Sequence, residues 1–123
     1  MTKLFIRLDF EPTGSVLSPG MIQVLEAVQK MKSIRRAAAS LNISYRKTWL
    51  MVQQMQKTFN GPVVLAESGG FGGGATELTA IGIKVLMHYH AIEKLALIAA
   101  QKDLEVLAAM VRPGAPPRRH ERG

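Results

Sequence analysis

Two helix-forming segments joined by a three-residue turn lie in the first half of this chain, and they restrict its fold more than any other feature. The stretch SIRRAAASLNISYRKTWLMVQQM begins at Ser33 and contains a second serine at Ser44. Serine is a preferred N-cap residue because its hydroxyl accepts a hydrogen bond from a free amide of the first helical turn. Asn42 lies between them and tolerates the left-handed backbone of a tight helix exit. The pattern predicts two consecutive helices that pack against each other.

Small side chains on the first of these helices allow close packing against a neighbour. We predict that Ala37, Ala38 and Leu41 face inward and that Ile43 is buried in the turn. The second helix is predicted to run from Ser44 to about Phe59, because Asn60-Gly61-Pro62 stops it. Its predicted inward stripe is Thr48, Val52, Met55 and Phe59.

Regular structure is also predicted on both sides of this helix pair. Residues 3–11 alternate apolar and polar side chains like a half-buried strand, and Ser18-Pro19 opens a helix. VVLAE and ATEL are predicted to be short strands separated by glycines, and a long helix is predicted from Thr79 to Val111. The predicted fold class is mainly α with a small β-sheet (α+β), a winged helix-turn-helix with a long C-terminal dimerisation helix. The predicted divisions are residues 1–78 for the winged helix-turn-helix domain, 79–111 for the dimerisation helix and 112–123 for a disordered basic tail.

Positive charge is concentrated in the same part of the chain. The formal net charge of +7 arises from 16 Lys and Arg against 9 Asp and Glu. No acid occurs from Ala27 to Ala66, and outside this segment the cations and acids balance. An evenly spread excess is typical of a solvated surface, whereas a segregated excess favours an anionic polymer as the partner. The cations of the segment are Lys30, Lys32, Arg35, Arg36, Arg46, Lys47 and Lys57.

The outward side chains of the helix that follows Ser44 are suited to reading DNA bases. A recognition helix presents its N-terminal turn to base edges, where Arg pairs with guanine and Gln with adenine. Lys47 and Lys57 are predicted to contact phosphates. Trp49 is predicted with equal weight to contact DNA or to be a core aromatic residue. The Tyr45 hydroxyl could equally form a hydrogen bond with a phosphate. The full set predicted to contact double-stranded DNA is Arg35, Arg36, Ser44, Tyr45, Arg46, Lys47, Trp49, Gln53, Lys57, Gly70, Phe71, Gly72 and Gly73.

The glycine-rich stretch AESGGFGGGATELT is consistent with two kinds of site. Residues 70–75 fit the dinucleotide-binding pattern G-x-G-x-x-G/A. That pattern needs a helix directly after the glycines and further βαβ units, and the sequence predicts neither. We therefore predict the tip of a hairpin wing, where glycine tolerates positive φ and lets backbone amides approach a phosphate or the minor groove. Phe71 either packs on the groove wall or is simply exposed, and the sequence favours neither.

Two blocks of residues carry a family resemblance. The first contains Ser33, Ile34, Ala37, Ala38, Ile43-Ser44-Tyr45, Arg46, Trp49 and Met55. The second contains Gly69-Gly70, Gly72-Gly73-Gly74, Leu78-Thr79 and Gly82. Together they resemble the N-terminal winged helix-turn-helix DNA-binding domain of molybdate-responsive bacterial regulators of the ModE type, which are related to LysR-type winged helices.

The resemblance, which extends more loosely over residues 15–110, implies a DNA-binding dimer whose long terminal helix pairs with its twin. Full-length members of the family continue into oxyanion-binding modules that sense molybdate. This chain ends at Gly123 in a tail rich in Pro and Arg, so we expect no molybdate-binding domain in it.

Other classes of function find little support in the sequence. His88 and His90 are two residues apart on a helix and face different ways, so we expect no shared metal. The chain has no cysteine and no apolar run long enough to span a membrane, which favours a cytoplasmic protein. We predict a sequence-specific transcriptional regulator that binds double-stranded DNA as a homodimer, not an enzyme, without cofactor or metal. The alternative is a protein-interaction module that dimerises through the long C-terminal helix, with weak or lost DNA binding.

Overall fold

The computed structural model describes residues 4–66 and 75–114, which form four helices and two two-stranded antiparallel sheets. The first sheet is a hairpin of β1 (Leu8–Phe10) and β2 (Ser15–Leu17), with Leu8 opposite Leu17. The predicted N-terminal strand is therefore shorter than expected and is one arm of a hairpin. The second arm was missed because three residues are too few to show an alternating pattern.

Three helices follow this hairpin in the described chain: α1 (Pro19–Met31), α2 (Ile34–Leu41) and α3 (Tyr45–Thr58). Each begins at a serine N-cap, and the Ser18 hydroxyl accepts a hydrogen bond from the Met21 amide at 3.3 Å, as predicted. The caps fix where each helix starts, and hence which side chains face the core.

The core lies between these helices, the second sheet and the beginning of the last helix. Val24, Leu25 and Val28 of α1 are fully buried, as are Val52 and Met55 of α3. The predicted inward stripe of α3 is confirmed at Thr48, Val52 and Met55, whereas Phe59 is only partly buried. Met51 is buried as well, and the prediction omitted it. Ile43 is partly buried and packs against the core from the turn.

The second sheet pairs β3 (Val64–Ala66) with β4 (Thr76–Leu78) and forms the base of a wing. The Thr76 amide donates a hydrogen bond to the Lys32 carbonyl at 2.9 Å, which ties the wing to the end of α1. The predicted contacts of Gly70, Phe71, Gly72 and Gly73 lie outside the described residues.

The last helix, α4 (Ala80–Met110), is 31 residues long and begins at the N-cap Thr79. Only its first turns contribute buried residues, namely Gly82, Val85, Leu86 and Tyr89. The Tyr89 hydroxyl donates a hydrogen bond to the Ile6 carbonyl at 2.6 Å, which fastens the N-terminal segment to α4. Burial raises the pKa of the Tyr89 phenol above its ordinary value. Among residues 4–66 and 75–114, none of the helices has an apolar stretch of the length that a membrane span requires.

Candidate nucleic-acid interface

The turn between α2 and α3 is fixed by local hydrogen bonds. Asn42 adopts the left-handed conformation, with φ 59° and ψ 40°, as predicted. The Ile43 amide donates to the Ala38 carbonyl at 3.1 Å, and the Ser44 hydroxyl accepts from the Lys47 amide at 2.9 Å. Because these contacts occur at both ends of the turn, the orientation of α3 relative to α2 is determined by residues 38–47 themselves.

Thr48 is a polar residue in the centre of this helix pair, and it is fully buried. Its hydroxyl donates a hydrogen bond to the Ser44 carbonyl, one helical turn earlier, at 2.9 Å. A buried hydroxyl without a partner is costly, whereas this local bond satisfies the donor and leaves the methyl group to pack in the core. The hydrogen bond therefore allows a threonine to be buried in the core of the helix pair.

The outward face of α3 carries a row of exposed side chains directly opposite its buried stripe. Arg46, Leu50, Gln53 and Lys57 are spaced i, i+4, i+7 and i+11, so they lie one above another along the helix. All are exposed, and Leu50 retains 47% of its accessible surface. Lys47 and Gln54 are exposed beside this row. The predicted contacts Arg46, Gln53 and Lys57 thus share one surface, which we call the α3 ridge, defined by Arg46, Leu50, Gln53 and Lys57.

An arginine and two aromatic rings join α2 to the beginning of α3. The Arg35 guanidinium carbon lies 4.7 Å from the centroid of the Tyr45 ring, within the range of a cation–π contact. Tyr45 meets Trp49 edge to face, with centroids 6.4 Å apart. Tyr45 is exposed, whereas Trp49 is partly buried and packs against the core. This packing supports the core role considered for Trp49, and its contact with DNA stays a prediction.

The cations of this region have no acidic partner within the described residues. Ion pairs of the described chain join Arg7 to Asp9, and His90 to Glu26 and Glu93. Arg35, Arg36 and every cation of α3 are exposed. Their positive charge is therefore available to an external anion instead of being neutralised within the domain.

An open groove runs beside the C-terminal half of α3. It is lined by Gln53, Gln56, Lys57, Gly61 and Pro62. The Gln56 side-chain oxygen accepts a hydrogen bond from the Val63 amide at 3.4 Å, which connects α3 to the start of β3. No local sequence pattern marks Gln56, because its role depends on the backbone at Val63, seven residues further along the chain.

The wing is held against the helices by a close approach at Gly82. A Cβ atom on Gly82 would lie 2.3 Å from the Val63 carbonyl oxygen, closer than any real contact. The Thr79 hydroxyl donates to the Pro62 carbonyl at 2.6 Å and accepts from the Gly82 amide at 3.1 Å. Thr79 and Gly82, which belong to the second block of family residues, thus connect β3 to the first turn of α4.

The two described histidines, His88 and His90, both lie on α4 and are not part of the α3 ridge. His88 is exposed on α4. His90 places Nε2 2.6 Å from a carboxylate oxygen of Glu26 and Nδ1 3.2 Å from one of Glu93. This cluster joins α4 to α1, and the sequence did not reveal it because Glu26 and His90 are far apart in the chain.

Sequence comparison finds relatives of this chain, although no family model matches it. It is 33% identical over 93 residues to the molybdenum transport protein ModE of Azotobacter vinelandii, a match to 75% of this chain and 34% of that protein. It is 37% identical over 83 residues to the molybdenum-pterin-binding protein MopB of Rhodobacter capsulatus, a match to 68% of this chain and 31% of that protein. It is 30% identical over 78 residues to the transcriptional regulator ModE of Haemophilus influenzae, a match to 63% of this chain and 31% of that protein.

These relatives confirm the predicted resemblance to the ModE type, and their names describe a transport protein, a binding protein and a regulator. The chain spans about a third of the length of the curated relatives it matches.

Solved structures of similar fold confirm the predicted fold class. A crystal structure of the CbnR DNA-binding domain in complex with DNA matches with a TM-score of 0.55 at 20% identity, over 71% of this chain and 94% of that chain. Full-length OxyR from Pseudomonas aeruginosa matches with a TM-score of 0.53 at 16% identity, over 78% of this chain and 30% of that chain. The arrangement of α1 to α3, the wing and the long α4 is that of a winged helix-turn-helix.

Proposed function

We propose that this chain, being similar to ModE-type proteins, is the DNA-binding part of a bacterial transcriptional regulator that acts in the cytoplasm as a homodimer. The observation that carries the proposal is the α3 ridge, which is exposed and lies within a segment that has seven cations and no acid. Duplex DNA is a dense anionic polymer, and neutralising its phosphates releases condensed counterions. A surface of this charge and shape suits the major groove.

Base recognition is assigned to the first three turns of α3, and phosphate contact to the lysines Lys47 and Lys57. Arg46 lies in the first turn, where a guanidinium can donate two hydrogen bonds to guanine O6 and N7. Gln53 lies two turns later on the same ridge and carries an amide suited to adenine. Lys47, beside the ridge, and Lys57, at its C-terminal end, are assigned to the DNA backbone, where a compact ammonium positions the protein without reading sequence.

The α2 cations complete the phosphate contacts. Arg35 is held over the Tyr45 ring, so its guanidinium is oriented before DNA arrives. Arg36 is exposed at the next position, in the first turn of α2. The first helix of a helix-turn-helix crosses the DNA backbone, which gives both arginines a phosphate to meet. The predicted glycine contacts of the wing tip, with Phe71, would lie on the adjacent stretch of the same duplex.

Homodimer formation is assigned to the second half of α4. The helix is about 46 Å long at a rise of about 1.5 Å per residue, longer than so small a domain can cover. None of its residues from 90 to 110 is buried. Leu95, Ile98 and Met110 retain 67%, 62% and 73% of their accessible surface. A second copy of the same helix is the simplest cover for this apolar surface, since most soluble homo-oligomers are symmetric dimers.

The exposed apolar surface of α4 also favours the alternative, a protein-interaction module that dimerises but has lost strong DNA binding. Both functions predict a dimer, so chain size in solution does not separate them. Sequence-dependent binding to a duplex does.

Selection of bound sites from a random duplex library, followed by fluorescence anisotropy on the recovered site, tests the proposal. We expect enriched half-sites whose centres are about 34–36 Å apart or a multiple of it, as for other helix-turn-helix dimers. The matched control is a scrambled duplex of the same composition. Absence of duplex binding at low salt would leave the interaction module as the better account, and equal affinity for both duplexes would refute a sequence-specific regulator.

A further inference from the structure

Leu50 is an apolar side chain in the middle of an otherwise polar, cationic ridge. It retains 47% of its accessible surface. Its neighbours in sequence behave differently, because Met51 is 5% exposed in the core and Trp49 packs against the core. Leu50 is therefore not part of the helix packing that holds α3 in place.

The position of Leu50 relative to its neighbours on the ridge gives it a specific environment. Arg46 lies one turn before it and Gln53 just under one turn after it. By the helix rise these intervals are about 6 Å and about 4.5 Å along the axis. At about 3.4 Å between neighbouring bases along one strand, these intervals correspond to about two base steps and about one. A helix that places Arg46 and Gln53 on base edges consequently places Leu50 over the bases between them.

The major groove presents only one apolar group that a leucine can contact. Every base edge there offers hydrogen-bond donors or acceptors, and thymine alone adds a C5-methyl group. Leucine has no donor or acceptor, so over any other base it would cover polar groups without replacing their hydrogen bonds to water.

We infer that Leu50 is a specificity-determining residue that contacts the C5-methyl group of a thymine lying between the bases read by Arg46 and Gln53. The inference rests on the proposed function and extends it from DNA binding to one feature of the bound sequence. Arg46 and Gln53 supply hydrogen bonds on either side, and Leu50 excludes water from the base step between them.

The test begins with the site recovered by selection from random duplex DNA, in which we expect an invariant thymine in each half-site. Deoxyuridine, which lacks only the methyl group, then replaces each thymine in turn, and affinity is measured by anisotropy. For the unmodified protein we expect one position per half-site to lose about three- to fivefold in affinity, the effect of removing one methyl group from an apolar contact. Uracil at the remaining positions should leave affinity unchanged.

Two variants of the exposed position assign that loss to Leu50. Leu50→Asn replaces the apolar side chain by a polar one of similar size and should bind the thymine and uracil duplexes equally. Leu50→Met keeps an apolar contact and should keep the preference for thymine. Circular dichroism confirms that both variants are folded.

Three results would overturn the inference: half-sites with no fixed thymine, no sensitivity to uracil at any position, or a thymine preference that Leu50→Asn retains. Each of these results can occur while sequence-specific binding persists, so each is distinguishable from failure of the proposed function. That failure would show as no preference for any duplex, and it would also overturn the inference about Leu50.

Discussion

The guanidinium carbon of Arg35 lies 4.7 Å above the ring of Tyr45, so the side chain that leaves the first turn of α2 rests on the first residue of α3. Tyr45 in turn meets the edge of Trp49, which packs against the core. A long, flexible arginine is thereby held by a ring that the core itself orients. The contact links the internal packing of the helix pair to the direction in which a surface cation points.

Arg35→Ala and Tyr45→Leu should weaken duplex binding to a similar extent, about two- to fivefold, and the double variant should be little worse than either. A cation–π contact contributes about 0.5–1 kcal/mol at an exposed site, and residues that act together give non-additive effects. Tyr45→Phe keeps the ring and should lose less than twofold. A double-variant cycle of dissociation constants provides the measurement, and strict additivity would show that the contact does not orient Arg35 for DNA.

Arg46→Ala and Lys57→Ala should have different consequences although both remove one positive charge from the α3 ridge. Loss of a bidentate contact to a base costs about 1–3 kcal/mol on the cognate site and relaxes preference at one position. Loss of a phosphate contact should weaken cognate and scrambled duplexes alike. Competition binding with the two duplexes measures the ratio of cognate to scrambled affinity for each variant. Equal ratios for both variants would contradict this division of roles.

Leu95→Glu should convert the proposed dimer to monomers. Leu95 retains 67% of its accessible surface in the single chain, and a carboxylate buried between two copies of α4 would be desolvated without a partner. Gln101→Glu, at an exposed polar position of the same helix, is the matched control and should leave the dimer intact. Light scattering coupled to size-exclusion chromatography gives the mass of each variant. An unchanged mass for Leu95→Glu would exclude this part of α4 from the dimer interface.

Gly82→Ala should destabilise the domain by about 2–3 kcal/mol, at the upper end of what overpacking costs. The added methyl group would lie 2.3 Å from the Val63 carbonyl oxygen, and backbone on both sides prevents an easy shift. Alanine otherwise stabilises a helix interior by about 1 kcal/mol relative to glycine, so the sign of the effect is diagnostic. The midpoint of urea unfolding measures it, at a fixed protein concentration. A stability equal to or above that of the unmodified protein would show that α4 does not approach β3 so closely.

Local chemistry explains which parts of the fold the sequence revealed. The N-caps Ser18, Ser33 and Ser44 and the left-handed Asn42 act within three or four residues of their own position, so their patterns were sufficient. The inward face of α3 followed from helical spacing, since Thr48, Val52 and Met55 share one stripe.

Features that depend on contacts between separate segments of the chain could not be predicted. β2 forms because Leu17 pairs with Leu8 across a turn, and the segment alone has too little pattern to identify it. The contact of His90 with Glu26 joins residues on different helices. The exclusion of a Cβ at Gly82 depends on the course of the backbone at Val63. Arg35 and Tyr45 were both predicted to contact DNA, but their mutual contact appears only once the turn is built.

Binding of duplex DNA by the exposed face of α3 is tested most directly by the salt dependence of affinity. Dissociation constants for the selected site are measured by anisotropy over a series of salt concentrations, for the unmodified protein and for Lys57→Ala. The logarithm of the association constant should fall linearly with the logarithm of salt concentration, with a slope of about −0.9 per phosphate neutralised. Lys57→Ala should make that slope shallower by about 1. A duplex affinity that is absent at low salt, or a slope that Lys57→Ala leaves unchanged, would contradict the account.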